Sequence, residues 1–370
     1  MTAERASDVL AADLAAIGSA LRDEIATMAG KRLLITGGAG FLGYEMVQTV
    51  LWANESGIAP IELTVYDNFV RGVPSWLEAL AGTPHLTVVE HDIRKPLPSD
   101  MDDFEFVVHA AGIASPTYYR RHPIETMDAN INGLRSLLDW AVAQQERGRP
   151  VEGFLFFSSS EIYGDPTPED IPTPETYRGN VSCTGPRACY DESKRYGETL
   201  CVNFAHQHGL PVKVARPFNN YGPGLKISDR RVIPDLARDI LANRDIVLLS
   251  DGSATRTFCY VSDAVTGYYK VLVRGGAGEA YNVGVEEPEI SMRDLAEKLA
   301  DLGRRHFGYD GRVVHETSDE VDYLVDNPSR RCPVIAKARD QLDYRPRVDL
   351  DEGLRRSLAW YADNREATEA

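Results

Sequence analysis

Cysteine is scarce in this chain: five occur among 370 residues, at Cys183, Cys189, Cys201, Cys259 and Cys332. An odd count with no Cys-x-x-Cys pair argues against a disulfide framework and a zinc site, and points to a reduced compartment. No metal site is expected. No run of 18 apolar residues is present, so no transmembrane helix is expected. The N-terminus lacks a basic stretch followed by an apolar core. It is acidic early, at Glu4, Asp8 and Asp13, which disfavours a signal or transit peptide and leaves the cytoplasm as the expected location. Positive charge is the scarcer sign, with 40 Lys+Arg against 56 Asp+Glu and a net charge of −16. Such a surface argues against nucleic acid and anionic membranes as partners. An anionic small ligand would need arginines gathered locally. Internal repeats and low-complexity tracts are also missing.

What is present is an ordinary globular balance, 43% hydrophobic and 26% charged. Residues 5–28 carry apolar residues at Leu10, Leu14, Ile17, Leu21, Ile25 and Met28, a 3–4 spacing that predicts an amphipathic helix packed on the body of the protein or on a partner subunit. Gly30 closes it. Short apolar runs then recur at 33–36, 63–66, 86–89, 106–109, 154–157 and 212–215, with helical stretches such as 41–54, 123–147 and 190–208 between them. Continuously apolar strands alternating with helices predict an α/β fold, a doubly wound parallel sheet covered on both faces. After Arg216 the alternation loosens, with Pro217, Gly222, Pro223, Gly224 and Pro234. Two later helical patterns, 291–307 and 350–363, suggest a smaller interleaved C-terminal lobe.

Directly after the first strand comes Thr36-Gly37-Gly38-Ala39-Gly40-Phe41-Leu42-Gly43. Glycines at 37, 40 and 43, between a strand and a helix, let the backbone turn tightly and approach a pyrophosphate at the helix N-terminus. The sheet is therefore expected to be of the Rossmann type. The second strand ends Tyr66-Asp67-Asn68, with Asp67 24 residues beyond Gly43. A carboxylate there bonds the adenosine ribose hydroxyls and repels a 2′-phosphate, which predicts NAD rather than NADP. Asp92, in His91-Asp92-Ile93 after the third strand, is either an adenine contact or a solvated strand-end acid. The expected division is a helical extension (1–30), an NAD-binding domain (31–215 and about 258–285) and a substrate lobe (about 216–257 and 286–365).

Tyr190-Asp191-Glu192-Ser193-Lys194 is a Tyr-x-x-x-Lys pair, which a helix brings onto one face. The lysine is expected to lower the phenol's pKa and make Tyr190 a general base that, with Lys194, also lies against the cofactor. Ser158-Ser159-Ser160-Glu161 follows the apolar strand 154–157 and so falls at the carboxyl edge of the sheet, where such sheets bind ligands.

With these motifs in hand, the chain resembles the extended short-chain dehydrogenase/reductase family over about residues 31–362. The loop at 36–43, the Ser–Tyr–Lys set and Tyr260-Val261-Ser262-Asp263 carry the likeness. Within it the chain is most similar to the UDP-glucuronate decarboxylases, or UDP-xylose synthases, through 159–166 and 185–192. Ala114-Ser115-Pro116, Arg216-Pro217-Phe218-Asn219, Thr255-Arg256 and Arg331-Cys332-Pro333 add to it. The family has Thr where this chain has Ser159, and usually an acidic or small polar residue where it has Val334.

The resemblance implies Ser159, Ser160, Glu161, Tyr190 and Lys194 as catalytic residues. It implies Ser115, Asn219, Arg231 and Arg256 on the nucleotide-sugar substrate, with Arg331 near the sugar carboxylate. Lys226, Arg230 and Arg330 read as surface charges. The implied reaction is NAD-dependent decarboxylation of UDP-glucuronate through a C4 ketone, giving UDP-xylose and some UDP-4-keto-pentose. The competing readings are a nucleotide-sugar 4-epimerase, a 4,6-dehydratase and a non-catalytic NAD-binding scaffold. A dehydratase would carry an acid where this chain has Ser160, to protonate the departing hydroxyl. A simple 4-epimerase would lack Glu161. The family also implies a homodimer, paired through the helices at about 123–147 and 190–208.

The cofactor preference is testable directly. Asp67 should give NAD the tighter binding in titrations of both nucleotides; equal or tighter NADP binding would refute the assignment.

Overall fold

The computed structural model describes residues 5–57, 59–316 and 328–364. Glu4, residues 317–327 of the expected lobe and its end at 365 lie outside the described residues. The six apolar runs form β1 (Arg32–Thr36), β2 (Glu62–Asp67), β3 (Leu86–Glu90), β4 (Phe106–His109), β5 (Gly153–Phe157) and β6 (Val212–Pro217). A seventh strand, Ala280–Val283, was not legible as an apolar run because Asn282 interrupts it. The sheet runs Ala280–Val283, β6, β5, β4, β1, β2, β3, and every neighbouring pair is parallel. β4 and β5 are buried throughout, the burial expected of strands covered on both faces. The order in which strands are added reverses between β1 and β4. That opens a crevice at their carboxyl ends, where the glycine loop and the serine run both fall.

The N-terminal segment is two helices, α1 (Ala6–Ala20) and α2 (Arg22–Met28), rather than one. The bend at Leu21 keeps the Leu21 N–H on Ile17 and the Ile25 N–H on Leu21. Ile17, Leu21, Ile25 and Met28 are all buried in the main core. The bend also brings buried Glu24 to Lys270, 3.3 Å away. Asp13 of α1 is buried, accepting from the Tyr260 hydroxyl at 2.7 Å and Arg356 at 2.5 Å. Burial pushes its carboxyl up to about 6. The extension is thus part of the body.

The segment read as one helix over 123–147 is broken into Pro123–Asp128, a five-residue π-turn Ala129–Gly133, and Leu134–Glu146. The wider turn sets buried Asn130 against the helix Ala188–His208, where its Nδ2 donates to Ser193 Oγ at 2.9 Å. Such turns tend to occur at functional sites.

Beyond the sheet, Thr255–Arg256 pairs in parallel with Arg330–Arg331 and antiparallel with Ile290–Ser291. Ile246–Leu248 pairs with Val313–His315. The late helices form at Met292–His306 and Leu350–Asp363, each opened by a side-chain cap, Ser291 to the Asp294 N–H and Asp349 to the Glu352 N–H. No described helix is long and apolar enough to cross a membrane.

Candidate active site

A cavity of about 2020 Å³ runs from the glycine loop to residues 328–331. Its first end is built by β1 and α3 (Phe41–Glu55). Gly37 turns at φ +75°, and a Cβ there would stand 2.6 Å from the Ala111 backbone. A Cβ on Gly43 would stand 2.1 Å from the Gly38 carbonyl oxygen. Only glycine permits this approach, and it leaves the first-turn N–H groups of Phe41, Leu42 and Gly43 without intrahelical partners at the positive end of the helix. Gly37, Gly40 and these three residues all line the cavity. Backbone, not side chains, forms this wall, so the cradle fits a dinucleotide pyrophosphate.

Asp67 lies at the end of β2, accepting from the Ala39 and Phe69 N–H groups at 3.1 and 2.9 Å. Burial raises its pKa against those bonds. Asn68 accepts from the Val70 N–H at 3.1 Å, shaping the turn that follows. Asp92 reaches the cavity, but its carboxylate is engaged by Arg94 two residues on, at 2.6 to 3.1 Å. That bond lowers its pKa. Ile93 is buried beside it and lines the cavity.

β5 delivers the serine run. Ser159 caps a short turn at 160–163, its Oγ accepting the Glu161 N–H at 3.2 Å. Ser158 donates to Glu198 at 2.5 Å, and Arg216 bonds both oxygens of that carboxylate at 2.9 and 2.6 Å, fixing the start of the turn. The helix Ala188–His208 carries Tyr190 and Lys194 on one face. The Ser159 hydroxyl lowers the Tyr190 pKa, but burial outweighs it and pushes the phenol up to about 12. This is opposite to the lowering expected from Lys194. The lysine donates to the Phe157 carbonyl at 2.7 Å and lies 5.7 Å from the Tyr190 ring centroid. Burial pulls its own pKa down to about 7. Burial thus disfavours charge on both members of the pair.

Glu161 is the most constrained carboxylate here. Arg331 donates to both its oxygens, at 2.7 and 2.6 Å, and Arg187 donates to Oε2 at 2.5 Å. Burial would raise its pKa, but the two guanidiniums hold it down to about 2. Arg187 was missed by sequence reasoning although it stands within the segment 185–192. Nothing local marks which arginine of a loop turns inward. Tyr119 was missed too; it stacks on Tyr190 with centroids 5.0 Å apart and planes 12° apart. Asn130 was the third omission, and its only signal was an amide inside a helical pattern.

Of the residues expected on a substrate, Ser115, Asn219, Arg231 and Arg256 line the cavity with Arg331. Ser115 donates to the Asp229 carbonyl at 2.8 Å, and Asn219 donates to the Thr257 carbonyl at 2.8 Å. Arg231 stands 3.8 Å from Asp229. Arg256 donates to the carbonyls of Thr255, Ser329 and Pro328, at 2.7, 3.3 and 2.5 Å, so these bonds hold residues 328–329 against its strand. Lys226, Arg230 and Arg330, read as surface charges, also line the cavity, and Arg330 is paired with Glu289 at 2.7 Å. In a protein of net charge −16, Arg187, Arg231, Arg256 and Arg331 thus meet in one cavity.

Lys194 carries a stability signature. The unfolded lysine keeps its proton to its ordinary value of 10.5, whereas the folded one releases it near 7. Stability of the NAD-free protein therefore rises with pH across that window. Lys194→Met should raise the melting temperature at pH 7 and flatten the rise between pH 7 and 9, in thermal unfolding without nucleotide. A slope as steep as that of the wild type would defeat the assignment.

The family model for the NAD dependent epimerase/dehydratase family matches residues 33–284. UDP-glucuronic acid decarboxylase 5 of Arabidopsis thaliana is 35% identical over 336 residues, 91% of each chain. UDP-glucuronic acid decarboxylase 1 of Xenopus tropicalis is 34% identical, over 90% of this chain and 72% of that one. Among solved structures, an epimerase from Methanothermobacter thermautotrophicus superposes with a TM-score of 0.80 at 26% identity, covering 95% of this chain and 98% of the other. The Streptomyces venezuelae dTDP-glucose 4,6-dehydratase DesIV, solved with NAD and TYD, gives 0.76 at 27% identity over 90% and 98%. A glycine cradle at a helix N-terminus, the Tyr190–Lys194 pair and these likenesses agree: the chain belongs to the NAD-dependent epimerase/dehydratase family, and its cofactor is NAD.

Proposed function

We propose that this protein decarboxylates UDP-glucuronate. The observation that carries the reading is Arg331 beside Glu161 in the cavity that also holds Tyr190, with Ser160 standing where a dehydratase would need an acid. The names of the relatives support it, and the retained Glu161 sets it apart from a simple 4-epimerase. The whole constellation of Ser159, Tyr190 and Lys194 argues against a mere scaffold.

In this reading the amides of Gly40 to Gly43, with Gly37, hold the cofactor's pyrophosphate. Asp67 and Asn68 hold its adenosine ribose, Asp92 and Ile93 flank the adenine, and Tyr190 and Lys194 meet the nicotinamide ribose. Ser115, Asn219, Arg231 and Arg256 hold the UDP moiety, and Arg331 faces the sugar carboxylate. NAD held in this cradle would supply a reversible hydride acceptor for C4. Tyr190, with Ser159 as its relay, takes the proton of the 4-hydroxyl. The new ketone is β to the C5 carboxylate, so the C5–C6 bond breaks and its electron pair passes into the enolate as carbon dioxide leaves. With a proton from water added at C5, the hydride restored at C4 and the proton on Tyr190 returned to O4, UDP-xylose would form. Ser160 and Glu161 orient the sugar during these steps.

Ser159 keeps the hydroxyl of a threonine without the methyl that limits its rotamers. A looser hydroxyl holds O4 less firmly and lets some 4-keto intermediate escape. Incubation with UDP-glucuronate and NAD should release carbon dioxide and give UDP-xylose with some UDP-4-keto-pentose, followed by NMR and 340 nm absorbance. Ser159→Thr should lower the keto fraction. Absence of carbon dioxide would exclude the decarboxylase, and an unchanged ratio would clear the methyl.

A homodimer is part of the proposal. Ile124, Met127 and Tyr196 stand exposed on the helices Pro123–Asp128 and Ala188–His208, an apolar surface suited to a second copy. Light scattering at micromolar concentration should give about twice the chain mass; a monomer mass would refute it.

A further inference from the structure

Glu161 is gripped from two sides. Arg331, on the strand Arg330–Arg331, occupies both of its oxygens, and Arg187, at the start of the helix Ala188–His208, shares Oε2. None of the three side chains is more than 16% exposed. Around this cluster stand Tyr119 and Tyr190, neutral phenols, Asp191, 3.9 Å from Arg187, and Arg256 on the strand Thr255–Arg256, which Asp165 also faces. The fork of Arg331, the group suited to receive a carboxylate in two parallel bonds, already holds Glu161. An incoming carboxylate must compete with it. Once displaced, Glu161 stays in a place poor in water, where an unmatched charge is costly. Arg187 already shares its oxygen and has no substrate group to hold.

We propose that Arg187 is a positioning residue that retains Glu161 when a substrate carboxylate takes over Arg331. The inference rests on the reading of the substrate as a carboxylate-bearing nucleotide sugar. It makes the Glu161–Arg331 pair an internal stand-in for substrate. A nucleotide sugar without a carboxylate leaves that pair closed, and one with a carboxylate passes Glu161 to Arg187.

The test is the pH dependence of carbon dioxide release from UDP-glucuronate with NAD present, for wild type, Arg187→Gln, Arg187→Lys and the double variant Glu161→Gln/Arg187→Gln, with NAD binding as the check on folding. Without Arg187, Glu161 in the substrate complex loses its counter-charge and takes up a proton. The acidic limb of kcat should then move up by about one pH unit or more, and kcat at pH 6 should fall about tenfold and recover by about pH 8. Arg187→Lys, which keeps the charge, should return the limb towards the wild-type position. An unmoved limb, or a loss equal at every pH, overturns the proposal. Should Arg187→Gln fail to bind NAD, the double variant decides. Binding by the double variant shows that Arg187 serves the charge on Glu161, whereas failure shows that it serves the fold on its own account and overturns the proposal. A wild type that releases no carbon dioxide removes the substrate reading itself, and the inference with it. That outcome is seen before any variant is made, so the two failures are told apart.

Discussion

Charge that has been taken out of water must be matched, and this requirement organises the carboxyl edge of the sheet. Glu161 and Arg331 lie 170 residues apart in the chain and meet because neither can be buried alone. Glu198 and Arg216 do the same for the turn that carries Ser158. Removing one partner from such a pair costs about 3–5 kcal/mol, because the other is left buried and uncompensated. These pairs fasten the β5 turn, the helix Ala188–His208 and the late strand Arg330–Arg331 to one another. They join the half of the chain that cradles a dinucleotide to the half that would hold a sugar.

Lys194 stands outside that pattern. Its described hydrogen-bond partner is a backbone carbonyl, and burial weakens its hold on its proton. Tyr190, four residues earlier, is pushed the other way by the same burial. In both, burial in a place of low polarity disfavours the charged form. The stacked Tyr119 keeps the Tyr190 ring from swinging, so the hydroxyl is aimed before a ligand arrives.

The acidic composition and the cationic cavity are two sides of one arrangement. Deep in the cavity Arg256 donates to backbone carbonyls, and Arg187 and Arg331 share the carboxylate of Glu161. The surface keeps its negative sign while the interior collects donors. Proteins that bind phosphates without general affinity for polyanions need this separation.

Much of the fold was legible because it depends on short-range pattern. Apolar runs at 33–36 and 154–157 specify buried strands, glycines at 37, 40 and 43 specify a close strand–helix turn, and Tyr190 with Lys194 share a face through helical geometry alone. The strand Ala280–Val283 was hidden because Asn282 is tolerable there only through acceptors at Thr173 and Val334, far away in the chain. The bend at Leu21 and the π-turn at 129–133 arise from what each segment packs against, not from a breaker in it. The partner of Glu161, the inward turn of Arg187 and the raised pKa of Tyr190 belonged to tertiary structure as well. Burial and pairing across 170 residues are properties of proximity in space, and periodicity along the chain carries no record of them.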